Sequence, residues 1–396
     1  MKPAPVLLFC ALALAFAPLE TWAADDTPNT KEWFGTGLGW ADWTRLTGNW
    51  DGLRTAGERS GLSLTATNTT DWSDPWQGGL NNRTTARGLF NFTAALALPS
   101  GTTFTAQYLL LRGRDAADDL GALMNYSNID AAPFAHWGEL SVQQVLGDGR
   151  LRLKLGQLDA NTEFDNVHAA AEFLNASAGY SPTIVGFPTY PDPAPSANVF
   201  VQATDQISAG FGVYAGTQPQ RLDFSRPFLI GEIGVTTNPL GRIAAGVWRV
   251  NTTLPGLVGG TRPGTGGFYA LAERSLWRKN PAAKDDPRGV QVFAQFGTAS
   301  EAVSAIRRHT SVGLSATGLI PGRDQDVCGL LCSIATPTRD DPTHTPANEA
   351  VWEGYYGWHL TAFLTVKADL QFFRHPGGDA SRRDAVVGTL RWVTTF

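Results

Sequence analysis

The stretch Leu364-Thr365-Val366-Lys367-Ala368-Asp369-Leu370-Gln371-Phe372 decides the fold. Its even positions are all apolar and its odd positions are all polar or charged. A period of two belongs to a strand with one apolar and one polar face. Val290-Gln291-Val292-Phe293-Ala294-Gln295-Phe296 repeats the scheme, as does Leu151-Arg152-Leu153-Lys154-Leu155. Ile207-Ser208-Ala209-Gly210-Phe211-Gly212-Val213 alternates apolar with small residues.

Working outward, the chain from residue 62 divides into sixteen such segments: 62–72, 86–98, 102–112, 136–146, 150–159, 197–204, 206–215, 228–237, 241–251, 266–276, 288–298, 309–318, 326–336, 349–359, 363–374 and 384–396. The connections alternate in length. Pro99-Ser100-Gly101, Gly147-Asp148-Gly149, Asn238-Pro239-Leu240-Gly241 and Ile320-Pro321-Gly322 are short, whereas 73–83, 113–134, 160–196, 252–265 and 338–348 are long, polar and rich in Gly and Pro. Short turns at one end and long loops at the other predict an all-β fold, a transmembrane antiparallel β-barrel of about sixteen strands. The connection 277–287 is longer than that pattern asks for.

Composition agrees. Of 396 residues, 17% are charged and 43% hydrophobic, with 43 Gly and 13 Trp. A soluble domain carries about 25% charge, and a disordered chain has more charge and fewer aromatics. After the first 20 positions there is no apolar run of about 18 residues, which disfavours a helical membrane protein. The net charge of −5 argues against a nucleic-acid partner.

Residues 1–23 predict a signal peptide, with Lys2 as the positive start, Val6–Ala17 as the apolar stretch and Thr21-Trp22-Ala23 as the cleavage site. Residues 24–61 then form a leader at the periplasmic mouth, aromatic through Trp33, Phe34, Trp40, Trp43 and Trp50, with a short helix over 49–59; the barrel takes 62–396. Removal of the peptide takes Cys10 with it. Cys328 and Cys332, four residues apart on one extended strand, have Cα atoms ~13 Å apart, too far to bridge.

A strand fold in lipid has to close so that every backbone polar group is paired. Its outer face is then apolar with aromatic girdles, here Trp352, Tyr356, Trp358 and Trp392, and its inner face is polar. The inner candidates are Arg87, Asn91, Glu139, Arg152, Lys154, Glu232, Glu273, Lys367, Asp369 and Arg391, with Arg152 and Lys154 inward and Leu151, Leu153 and Leu155 towards lipid. Five cations and four anions make a mixed wall. A one-signed ring selects ions, whereas mixed polar groups hydrogen-bond small neutral sugars. The longest connection, 160–196, is the candidate constriction loop. Asp159, Asn161, Glu163 and Asp165 stand at its base, Phe187 and Tyr190 are its aromatics, and four prolines stiffen it. The final strand ends Leu390-Arg391-Trp392-Val393-Thr394-Thr395-Phe396, the type of C-terminus by which the barrel-assembly machinery recognises its clients.

At this point several stretches become recognisable: Leu46-Thr47-Gly48-Asn49-Trp50-Asp51-Gly52-Leu53-Arg54, Leu153-Lys154-Leu155-Gly156-Gln157-Leu158-Asp159-Ala160-Asn161-Thr162-Glu163-Phe164, Gly212-Val213-Tyr214-Ala215-Gly216, Leu319-Ile320-Pro321-Gly322-Arg323, and Ala368-Asp369-Leu370-Gln371-Phe372-Phe373-Arg374-His375-Pro376-Gly377-Gly378. As a set they resemble the carbohydrate-selective porin (OprB) family. That resemblance implies a sixteen-stranded channel in the outer membrane of a Gram-negative bacterium, passing glucose and similar sugars by passive diffusion. The Cys328/Cys332 strand and the Pro/Thr-rich 336–347 loop depart from the family pattern.

The six histidines have no metal-ligand spacing, and Asp324-Gln325-Asp326-Val327-Cys328-Gly329 lacks the later ligands of a calcium loop. With no G-x-S-x-G elbow or P-loop, the expectation is a channel without catalytic site, metal or cofactor. The rivals are a general or anion-preferring porin and, in another class, a secreted β-rich lectin or enzyme. Both a monomer and a homotrimer fit the pattern.

Overall fold

The computed structural model describes residues 31–36, 38–216, 222–237, 241–283, 286–339 and 346–396. The signal peptide expected over 1–23 lies outside the described residues, as do Asp340, Asp341 and His344. Strands β1 (Leu62–Gln77), β2 (Thr85–Ala97), β3 (Thr102–Gly113), β4 (Phe134–Leu146), β5 (Leu151–Leu158), β6 (Ala194–Gln202), β7 (Ile207–Tyr214), β8 (Phe228–Thr237) and β9 (Gly241–Val250) form the first part of the wall. A small hairpin, β10 (Leu254–Pro255) with β11 (Thr261–Arg262), decorates the next loop. Then come β12 (Thr265–Arg278), β13 (Gly289–Ala299), β14 (Ile306–Thr317), β15 (Val327–Pro337), β16 (Glu349–Thr361), β17 (Leu364–Arg374) and β18 (Ala385–Thr395).

Each wall strand pairs antiparallel with its neighbours, and β1 pairs with β18 through Thr70↔Trp392 and Trp72↔Leu390. The result is the closed sixteen-strand barrel that the alternation predicts. Closure removes the free sheet edges that water would otherwise have to satisfy. The 277–287 connection is a true short-end turn. Extending β12 to Arg278 and starting β13 at Gly289 leaves a segment tied by Arg288 to Asp286 (2.7 Å) and by Lys279 to Asp324 (2.5 Å).

Side-chain parity follows the sequence. On β5, Lys154 is 4% exposed inside while Leu155 is 50% exposed outside. Outward Trp72, Trp137 and Trp352 mark the long-loop end, and outward Trp358 and Trp392 the other. The six residue steps from Trp352 to Trp358 span ~20 Å of strand, close to the height of a barrel's apolar band. Cys328 and Cys332 share the outward parity of Leu330 on β15 and are free thiols. No described helix is long and apolar enough to cross a membrane.

At the short-turn end, the leader carries α1 (Leu53–Arg59). Arg54 donates to the Gly48 carbonyl (3.0 Å) and lies 4.1 Å over the Trp50 ring. The Leu46 amide donates to the Thr395 carbonyl (2.8 Å), and Trp40 packs on Phe363. These contacts hold the leader against the barrel mouth.

Candidate functional site: a narrowed lumen

Two connections from the long-loop end fold into the barrel, 114–133 and 159–193. Both are held by wall side chains whose orientation the strand register sets.

Asp159 closes the base of the longer loop. Its carboxylate accepts from the Asn161 amide (2.8 Å), the Thr189 hydroxyl (2.7 Å) and the Tyr190 amide (3.0 Å), so the two ends of the loop meet on one side chain. Burial pushes the Asp159 carboxyl up, against the pull of these donors. Asn161 donates to the carbonyls of Phe164, Asp165 and Gly179 and holds the loop's two limbs together. Both side chains are spent largely on closing the loop.

The loop then runs across the wall from β8 to β17 on a row of inward carboxylates. Glu232 accepts from the Asp165 amide (3.0 Å), Glu273 from the Ala169 amide (3.0 Å), and Glu353 from the amides of Leu174 (2.6 Å) and Asn175 (3.1 Å). Gln295 donates to the Ala178 carbonyl, Asn175 to Gln371 (3.0 Å), and the Ser177 and Ser333 hydroxyls meet at 2.8 Å. Asp165 accepts from the Ser181 amide (2.7 Å), and burial drives its carboxyl well above the ordinary range. Inner-face glycines make room for this packing. A Cβ on Gly297 would stand 2.0 Å from Ser181 Oγ, and one on Gly246 would strike the Tyr269 ring. Tyr269 uses that space to donate to Glu232 (2.9 Å).

The second loop docks in the same way. Buried Glu349 accepts from the amides of Leu123 (2.7 Å), Met124 (2.8 Å) and Gly377 (2.6 Å). Gln371 donates to the Tyr126 carbonyl (2.8 Å), and Ser127 donates to Asp71 (2.7 Å). Tyr190 ties the two loops together by donating to the Ile129 carbonyl (2.8 Å) while its ring packs on Phe134. Phe187 sits against Phe228 and Tyr180.

On the remaining wall, charge meets charge. Arg391 grips Asp71 with bonds of 2.6 and 2.8 Å and reaches Asn128 (2.9 Å). Arg87 bonds Ser73 (3.0 Å), lies 3.5 Å from Asp130 and covers the Tyr126 ring. Lys154 pairs with Glu139 (2.9 Å) and Glu163 (3.2 Å). Arg152 makes a two-pronged pair with Glu163 (3.0 and 2.7 Å) and lies 3.8 Å over the Phe200 ring. Lys367 pairs with Glu172 (2.6 Å), and Asp369 accepts from Gln371 (2.9 Å).

All the charged residues expected on the inner wall therefore point inward, but nearly all are buried and partnered. The accessible charged or titratable groups include Arg152, Arg242, Glu172 and His168, with side chains 30%, 21%, 50% and 67% exposed. Arg242 bridges Glu232 (3.1 Å) and Glu273 (2.8 Å), and His168 bonds Glu273 (2.9 Å). Sequence reasoning missed Arg242, Glu172, His168 and the anchoring glutamates Glu349 and Glu353. Among the described residues, no group of three His, Cys, Asp or Glu side chains has a metal-holding arrangement.

The family model for the carbohydrate-selective porin, OprB family, matches residues 88–228 and 232–396. Porin B of Pseudomonas aeruginosa is 25% identical over 150 residues, 33% of this chain and 32% of that protein, so the match spans about a third of the relative's length. The high-pH structure of Pseudomonas putida OprB superposes with a TM-score of 0.81 at 19% identity, covering 91% of this chain and all of that one. The low-pH structure of the same protein gives 0.59 at 17% identity, over 90% of this chain and 99% of that one. At these identities the superpositions speak for the fold. The inward-folding stretch 159–193, with the charged wall around it, falls within the matched residues, and the chain belongs to the carbohydrate-selective porin (OprB) family.

Proposed function

We propose that this protein is a passive channel for small neutral carbohydrates in the outer membrane of a Gram-negative bacterium. The observation that carries the proposal is the pairing of charge along the narrowed lumen. Arg152 and Lys154 share Glu163, Arg242 lies between Glu232 and Glu273, and Lys367 holds Glu172. A wall paired this way weakens the field that an ion meets, yet it keeps fixed donors and acceptors for hydroxyl groups. The accessible edges of Arg152, Arg242, Glu172 and His168 are the groups a passing sugar meets. Family membership supports the substrate class, and the apolar outer band with two aromatic girdles supports contact with outer-membrane lipid. Phe396, whose amide donates to the Ala66 carbonyl (2.8 Å), ends the closing strand and is the expected handle for the barrel-assembly machinery.

Liposome swelling with glucose, longer oligosaccharides and charged solutes tests this reading, together with reversal potentials in planar bilayers. Glucose entry faster than that of charged solutes of equal size is expected, with weak ion selectivity. Strong anion preference without sugar flux would leave the anion-preferring porin as the answer.

A further inference from the structure

The outward end of the barrel beneath the long loops carries four arginines against a single strand carboxylate. Cross-strand pairing sets Arg112 beside Gly88, Arg249 beside Gly266, Arg308 beside Thr298 and Arg374 beside Ala350. Their chain neighbours Leu111, Trp248, His309 and Phe373 are buried inside, so the four arginines point outward, and all four are exposed. Among the described strand residues, the one outward acidic side chain is Asp74, which accepts from Thr84. Arg249 donates to Asn251 (3.0 Å). Arg112, Arg308 and Arg374 make no side-chain hydrogen bond or ion pair among the described residues. The opposite rim differs, because Lys279, Arg288 and Arg323 there are paired with Asp324, Asp286 and Asp326.

A guanidinium keeps its charge at any working pH. One placed just beyond an apolar band extends to the headgroup layer, and its planar fork fits phosphate oxygens in pairs. Arg249, Arg308 and Arg374 are three strands apart in turn, and Arg112 lies four strands beyond Arg374. At ~4.8 Å per strand, that spacing of ~14–19 Å assigns each arginine to a separate headgroup. The sector from β4 to β8 carries no outward cation on its strands.

We propose that this rim is a collar for phosphorylated lipid headgroups of the outer leaflet, with Arg112, Arg308 and Arg374 as the phosphate-binding groups. The proposal rests on the outer-membrane reading, which places the long loops outside. It concerns the lipid-facing surface and not the lumen.

The test uses the full-length protein in neutral detergent, titrated with bis-phosphorylated lipid A, with phosphatidylcholine or with inorganic phosphate, and bound lipid counted by native mass spectrometry. Roughly five-fold tighter binding per arginine, each at its own headgroup, predicts that the triple variant R112Q/R308Q/R374Q binds lipid A about five-fold more weakly at each of the three positions and carries correspondingly fewer bound lipids at sub-saturating lipid. Arg274→Gln, outward near the opposite end, is expected to bind as wild type does, and the triple lysine variant, which keeps the charge but loses the fork, to bind between wild type and the glutamine triple. Equal binding by wild type and the glutamine triple overturns the proposal. So does displacement of the lipid by inorganic phosphate at matched phosphate concentration, or a lysine triple as weak as the glutamine one. Heat-modifiable gel migration confirms that each variant folds. Liposome swelling with glucose reads the channel separately: sugar flux retained in the glutamine triple supports the assignment to the outer surface, whereas a wild-type protein without flux overturns the channel reading and leaves the lipid result to stand on its own.

Discussion

The two halves of the lumen wall use carboxylates with different emphasis, although Glu232 and Glu273 take Arg242 as well as a loop amide and Asp71 takes the Ser127 hydroxyl as well as Arg391. From β8 to β17, Glu232, Glu273, Glu353 and Glu349 accept backbone amides of loops that fold in from the long-loop end. From β18 round to β5, Asp71 and Glu139 accept the side chains of Arg391 and Lys154. A carboxylate that takes an amide positions a loop; one that takes a guanidinium or ammonium neutralises a wall. The first kind sets the bore of the channel, and the second sets the field inside it.

The largest expected effect lies on the anchoring side. Glu349→Ala strips the Met124, Leu123 and Gly377 amides of their acceptor, at roughly 1–3 kcal/mol for the buried Met124 and less for the part-buried other two, and its expected outcome is release of the 114–133 loop with the barrel still closed. Liposome swelling should then admit oligosaccharides that the wild type excludes. An unchanged size limit would mean that the loop is held elsewhere. On the paired side, Asp71→Asn leaves Arg391 buried against a neutral partner. Breaking such a pair costs about 3–5 kcal/mol, so the temperature of the heat-modifiable gel shift should fall while the size limit stays the same. If the two variants gave the same phenotype, the division between the halves would fail.

Most of the barrel was legible in the sequence because a strand's period is local. Leu153, Lys154 and Leu155 report their faces without reference to any other segment. The anchors were not legible as anchors, since the amides that Glu349 holds belong to residues 225 and 226 positions away. A signal was nevertheless present. Val351, Tyr355 and Phe373 share the inward parity of Glu349, Glu353 and Asp369, and an apolar group facing a water-filled lumen requires a cover. Gly297 carries the same message, because a small inner residue leaves space that Ser181 fills. Phe187 and Tyr190, expected as aromatics of the constriction, pack the loop against the wall and against its neighbour loop instead of standing free. Composition could not separate these roles.

An intermediate effect is expected from pH. Burial pushes the Asp130 carboxyl up to about 6, against the pull of Arg87 and the Ala116 amide. A carboxyl raised in the folded state keeps its proton after the unfolded one has lost it. Its contribution is therefore full below about 3.8 and is lost as pH rises through about 6. The change is about 3 kcal/mol at most. Amide exchange in the 114–133 loop should quicken between pH 5 and 7, and Asp130→Asn should flatten that dependence. A loop equally protected at both pH values would separate Asp130 from the docking of its segment.

The smallest energetic effect is the one that bears most directly on selectivity. Glu163 is shared by Arg152 and Lys154, Glu139 supplies the second negative charge, and the Arg152 side chain remains 30% exposed. Glu163→Gln keeps the shape and an acceptor oxygen while Lys154 keeps Glu139, so the stability cost stays below that of a fully broken buried pair, about 3–5 kcal/mol. The two cations are then unopposed by it, and the reversal potential in a salt gradient should move towards anions by a few-fold in permeability ratio while glucose flux changes little. The mirror variant, Arg152→Gln, should move it the other way. If neither variant shifts the potential, the pairing of charge in the lumen does not set the field that a solute meets, and the preference for uncharged sugars has to come from the bore that the anchored loops define.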